Sequence, residues 1–252
     1  MSEHDDELLA AAAAADLAGV RAALDRGANV DARDSGGRTA LMTSSMRSRI
    51  PIMTALLDAG AGVNLRATLG ETALTLAAGG RGGESITLLL YGGADPNLGD
   101  RDKKSPLMWL VDTQFHRGLD ISGSIPALVA GGARVNDKDE AGRTALMWAT
   151  RGTDPFDVRP AVLTSLVAHG ADVEATDVNG ETAMFSLVRY IDDVLDLRNG
   201  KRCIELLVAA GADRNAVNSL GQTPLDVVNP GNPLVMDMLR ELGFGTSPEC
   251  PS

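Results

Sequence analysis

The residues best suited to chemistry are one histidine and the acids that share its kind of segment. His116 lies with Asp112 in DTQFHRGLDISGS (112–124), Asp154 and Asp157 lie in RGTDPFDVRP (151–160), and Tyr190 lies in VRYIDDVLDLRNGK (188–201). An imidazole titrates near neutral pH, and a carboxylate beside it can orient it for proton transfer. His116, Asp112, Asp154 and Tyr190 are therefore the catalytic candidates, for general acid–base work. Nothing stronger stands beside them. The chain has no His-Glu-x-x-His and no Gly-x-Ser-x-Gly. The glycine-rich AAGGRGGES (77–85) lacks the Gly-Lys-Ser/Thr ending of a phosphate cradle, so it reads as a short connection. The two cysteines are too few for a Cys-x-x-Cys zinc site or a disulfide framework. No metal and no cofactor is expected.

A second group suits binding. The only two tryptophans occupy matching frames, Trp109 in SPLMWLV (105–111) and Trp148 in TALMWAT (144–150). Tryptophan is enriched at binding hot spots. Why both follow a Leu-Met pair depends on the elements that carry them.

Those elements repeat. A Gly-Ala pair recurs at Gly27, Gly60, Gly93, Gly132, Gly170 and Gly211. Twelve residues after each glycine stands Thr39, Thr72, Ser105, Thr144, Thr182 or Thr223. The fixed half, as in GADVEATDVNGETA, reads as a helix-ending glycine, a turn, and a Thr or Ser that caps a new helix. Pro106 and Pro224 stand just inside that cap, where proline is tolerated. The variable half is apolar at helical spacing, as in AVLTSLVAHG and CIELLVAAG. One repeat is thus a turn and two helices, and all length variation falls between the helices. The third, fourth and fifth repeats are enlarged there, by the three segments quoted above. In the last of them Val188, Ile191, Val194 and Leu195 are spaced to prolong the first helix, with Asn199-Gly200 as its stop.

This pattern resembles the ankyrin repeat family, whose repeat looks like D-x-x-G-x-T-P-L-H-x-A-A followed by a leucine-rich helix ending in G-A-D-V-N. The resemblance implies an all-α solenoid of helix-turn-helix units joined by short β-turn or hairpin connections, with terminal caps. A single domain over 1–245 is expected. Its N-terminal cap is 5–33, its repeats are 34–66, 67–99, 100–138, 139–176 and 177–216, and its C-terminal cap repeat is 217–245. Residues 246–252 are expected to form a disordered tail. No repeat keeps the family's His, which ties neighbouring repeats by hydrogen bonds; its slot holds Met42, Thr75, Met108, Met147, Phe185 and Asp226. Apolar packing is expected to substitute.

Counted from each Thr or Ser, the second residue is core: Leu41, Leu74, Leu107, Leu146, Met184 and Leu225. The fourth, seventh and eighth share another helix face, which should line a concave groove. There the chain puts Trp109 and Trp148, on neighbouring repeats, with Met46, Arg47, Arg151, Arg189 and Tyr190. This stripe is locally cationic and aromatic, suited to another protein or to an anionic, partly apolar ligand.

Charge and hydropathy bound the remaining classes. A net charge of −11 argues against nucleic acid, whose phosphates require clustered Lys and Arg. The longest apolar run, Leu8 to Ala15, is far below the ~18 residues of a membrane span. A cytoplasmic monomer is expected, acting as a protein-interaction module that holds its partner in the groove. The competing reading is a small-molecule binder or an unusual enzyme, with a pocket formed by the inserted segments of repeats three to five.

Overall fold

The computed structural model describes residues 2–80, 82–112, 121, 123–151, 160–194 and 197–246. The described residues contain helices and turns, without strands. They fall into two compact units. The first holds the described residues up to 110 together with 123–134; the second holds 111, 112 and 121 with those from 135 onward.

In the first unit the helices come in pairs: α1 (Glu3–Ala14) with α2 (Leu17–Asp25), α3 (Ala40–Met46) with α4 (Ile50–Asp58), and α5 (Ala73–Gly79) with α6 (Gly83–Tyr91). α7 (Pro106–Val111) and α8 (Ser124–Ala130) follow. First helices pack on first helices, α1 on α3 and α3 on α5, and second helices on second, α2 on α4, α4 on α6 and α6 on α8. Two layers result, and the core lies between them. The second unit has α9 (Ala145–Ala149), α10 (Pro160–Ala168), α11 (Ala183–Val194), α12 (Leu197–Ala209) and α13 (Pro233–Glu241). There α9 packs on α10 and α11, and α12 on α10 and α11.

The local grammar explains these boundaries. The hydroxyls of Thr39, Thr72 and Thr144 accept from the backbone N–H three residues on, which starts α3, α5 and α9. Ser105 does the same for Met108 at the head of α7. Thr182 stands in the same place before α11, but its buried hydroxyl takes no hydrogen bond from any described residue. Thr223 starts no helix: residues 224–227 form turns, and Asp226 bonds the Thr223 N–H and hydroxyl with one oxygen. At the other end Gly27 has φ +86° and its successor Ala28 bonds back to the Ala23 carbonyl, a left-handed cap that only glycine adopts cheaply.

Every expected core position is closed: Leu41, Leu74, Leu107 and Leu146 are 1% exposed, Met184 0% and Leu225 3%. The slot of the family's His is filled by buried Met42, Thr75, Met108, Met147 and Phe185. In two repeats it also completes the helix cap, since the Met42 sulfur and the Thr75 hydroxyl accept from the N–H of Thr39 and Thr72. Hydrogen bonds from repeat to repeat come from elsewhere. The fourth residue after each helix-ending glycine is always Asp, Asn or Glu, and its side chain accepts from a backbone N–H of the following loop. In the first unit Asp31 takes Gly62, Asn64 takes Asp95 and Asn97 takes Arg134, each at 2.8 Å. In the second unit Asn136 takes Asp172, Glu174 takes Asp213 and Asn215 takes Gly245, again at 2.8 Å. Packing alone was expected to join the repeats; this ladder joins them as well.

The enlarged fifth repeat departs from expectation in one place. α11 does run on to Val194, but Asn199-Gly200 lies inside α12 and stops nothing. A Cβ on Gly200 would stand 2.5 Å from Cγ1 of Ile191, so the glycine lets α12 cross α11 closely. Leu195 lies outside the described residues.

Candidate functional site

Each tryptophan is built into its own turn. Five residues before the capping Thr or Ser stands the turn's first residue, usually Asp. Asp100 and Asp139 each use Oδ1 to accept two backbone N–H groups of the turn, from Asp102 and Lys104 and from Ala141 and Arg143. Their second oxygens reach the helix that follows. Oδ2 of Asp100 accepts from the Trp109 indole N–H at 2.9 Å, and Oδ2 of Asp139 from the Trp148 indole N–H at 3.0 Å. Both indoles are half-buried. A cation from the same turn lies over each ring, Lys104 Nζ at 4.7 Å from the Trp109 centroid and the Arg143 guanidinium carbon at 4.2 Å from that of Trp148.

Around Trp109, in the first unit, Gly79 of α5 comes so close that a Cβ there would stand 2.8 Å from Cε3 of the indole. Burial pushes the Asp100 carboxyl above its usual range, against the opposing effect of the N–H groups of Lys104, Trp109 and Asp102. Beside this cluster a cleft of about 240 Å³ is lined by Leu69, Glu71, Asp100, Arg101, Asp102 and Trp109.

Around Trp148, in the second unit, the carboxylate has a counter-ion: Arg143 Nε donates to Asp139 Oδ2 at 2.8 Å. Arg151 adds a second guanidinium 5.5 Å from the same ring. It also lines a cleft of about 360 Å³ with Asp177, Asn179, Glu181, Ser186, Arg189 and Tyr190. Arg189 grips Glu181 through both guanidinium nitrogens, and this contact raises the arginine's pKa further. The expected cationic character is absent from this lining. Arg151 and Arg189 are matched by Asp177 and Glu181, which come from the turn rather than from the helix face that the sequence pattern singled out.

The other expected site residues scatter. Met46 is half-buried near the end of α3, and Arg47 is its exposed C-cap. Tyr190 is only 4% exposed and meets the cleft of Arg151 and Arg189 with a small part of its surface, while Asp112 is 3% exposed. In the prolonged α11 the buried residues Leu187, Val188, Tyr190 and Ile191 make one broad apolar side, which takes the tyrosine inward. His116, Asp154 and Asp157 lie outside the described residues, as does most of the inserted length on which the enzyme reading rested. Among the described residues no three His, Cys, Asp or Glu groups converge to hold a metal ion.

Sequence reasoning missed Asp100, Asp139, Lys104 and Arg143. The signal was present: Asp-x-x-x-Lys/Arg-x-x-x-x-Trp occurs at 100–109 and again at 139–148.

Residues 8–100 match the family model "Ankyrin repeats (3 copies)". The described fold agrees with it over nearly the whole chain, superposing on the crystal structure of the human ASB11 ankyrin repeat domain with TM-score 0.76 at 22% identity. That match covers 97% of this chain and 99% of the other. The chain has the ankyrin repeat fold. A relative among curated proteins is the intracellular phospholipase A2 of Caenorhabditis elegans, 33% identical over 93 residues. The match takes in 37% of this chain but only 8% of the length of that phospholipase. Ankyrin repeats generally mediate protein–protein interaction. No helix of the described residues is long and apolar enough to cross a membrane.

Proposed function

We propose that the protein is an interaction module that holds a segment of another protein against the turns of its second unit and the cleft beside Arg189. The observation that carries this reading is apolar exposure on a rigid turn face: Val178 is 68% exposed, Val217 58% and Leu220 81%. These turns are held to one another by backbone bonds, from the Val178 N–H to the Ala141 carbonyl and from the Ser219 N–H to the Asn179 carbonyl. Large apolar side chains kept in water on ordered backbone favour a partner that covers them. The charge-balanced cleft next to them supplies hydrogen-bonding groups for orientation, and Arg151 joins it to Trp148. Such an arrangement suits a peptide segment with apolar anchors and polar backbone better than a strongly anionic ligand.

The test is a photo-crosslinking amino acid placed at exposed Asn179, used to identify the bound protein, followed by affinity measurement on the double variant Val178→Asp, Leu220→Asp. Both positions are exposed, so the melting temperature should hold while affinity falls about tenfold or more. A partner captured through Asn179 that binds the double variant unchanged would falsify this reading.

A further inference from the structure

The first unit carries a cleft of its own, lined by none of the residues of the turn face proposed above. Its lining is unusual in one residue. Glu71 is only 5% exposed, and Arg38 donates to one of its oxygens, Oε1, at 3.1 Å. The other, Oε2, is buried and receives no hydrogen bond from any described residue. A buried carboxylate oxygen without a donor is costly, and a charge-assisted bond is the strongest way to satisfy it.

We propose that this cleft receives one Lys or Arg side chain from a partner protein, with Glu71 and Asp102 taking its charge and Leu69 and Trp109 its aliphatic stem. Three carboxylates, on Glu71, Asp100 and Asp102, line the cleft against one cation, Arg101. The neighbouring cations have other engagements: Arg38 on Glu71 Oε1, Arg101 on the Thr68 carbonyl at 3.3 Å, and Lys104 over the Trp109 ring. Leu69 is 57% exposed at the rim and gives a methylene chain something to lie against. The volume, about 240 Å³, suits a single long side chain. Among the described residues the acids do not converge as a metal-binding set. The chain's net charge of −11 favours approach of a basic segment over long range.

With two tryptophans, the nitrogen-15-labelled full chain gives two indole N–H resonances, assigned by Trp109→Phe. Titration with acetyl-Gly-Arg-Gly-amide or its Lys counterpart should shift the Trp109 resonance saturably and leave that of Trp148 in place. The citrulline peptide, which keeps the side-chain length and three of the five N–H donors but loses the charge, should not. Glu71→Gln should weaken binding about tenfold. Because Glu71 also pairs with Arg38, exposed Asp102→Asn serves as the variant that cannot unfold the turn, with a loss of about twofold to threefold. The proposal is overturned if Trp109 does not respond, if citrulline matches arginine, if Trp148 moves in step, or if Glu71→Gln binds as the parent does. None of these results bears on the second unit's turn face, where Val178 and Leu220 are tested separately.

Discussion

Trp109 and Trp148 sit in the same repeat frame and are tied to the same turn aspartate, yet the two clusters are finished differently. Asp139 is neutralised by Arg143, whose guanidinium also covers the Trp148 ring. Asp100 has the hydrogen bonds without that direct ion pair, and burial pushes its carboxyl above the usual range. The frame therefore dictates where the indole goes, and the residue just before the capping Thr or Ser sets the electrostatics. Arginine there satisfies the carboxylate and the ring together; lysine at 104 lies over the ring.

The comparison is most severely tested by removing the aspartates. Asp139→Ala deprives two turn N–H groups, an indole and a half-buried guanidinium of the buried carboxylate they share, and should cost about 3–5 kcal/mol in denaturant unfolding. Asp100→Ala loses the same turn and indole bonds and no ion pair to its own oxygens, so about 2–3 kcal/mol is expected. If the two variants melt alike, Arg143 contributes nothing and the distinction collapses. Gly79→Ala drives a methyl into the Trp109 ring and should cost about 1–3 kcal/mol, leaving the Trp148 indole resonance where it was.

A smaller effect has the opposite sign. Lys103 holds φ +59° at the turn position where Gly37, Gly70, Gly142, Gly180 and Gly221 stand in other repeats. Lys103→Gly should therefore stabilise the protein by about 1 kcal/mol, read as a higher midpoint in urea. The last test is a titration. A folded-state pKa raised above the unfolded value means that the native chain binds its proton first. The destabilising effect of ionised Asp100 is thus fully present above the raised pKa and is relieved as pH falls through it toward the ordinary value near 3.8. The Trp109 indole resonance should report that step at a midpoint above the ordinary aspartate value, and Asp100→Asn should abolish it.

What the sequence made legible follows the range of the forces involved. Helix starts at Thr39, Thr72 and Thr144, the helix-ending glycines and the buried Leu row are local signals, decided within one turn of helix. Asn199-Gly200 has the form of a stop signal, but its glycine is there for Ile191, a contact between two helices that composition does not display. Tyr190 occupies a groove slot by counting, and the lengthened α11 turns that slot inward. The Asp–Trp bonds were written in the spacing and went unread, because motif reasoning asked what each tryptophan could bind rather than what its N–H must bond. The expected cationic face fails for a related reason: Arg151 and Arg189 lie at positions that a periodic count finds, while Asp177 and Glu181, which face them, belong to a turn.

The row of Asp, Asn and Glu side chains after the helix-ending glycines has a consequence for how stability is shared. Each of these side chains reaches the next loop and no further, so coupling passes between nearest neighbours only. Within either unit, amide hydrogen exchange should consequently be graded. Replacing Asn64 by Ala would open the junction it spans, to the Asp95 amide and the Gly93 carbonyl, and speed exchange there first. Asp5, which caps the Asn29 amide, would keep its own loop protected, so the damage would stay at the junction that was cut.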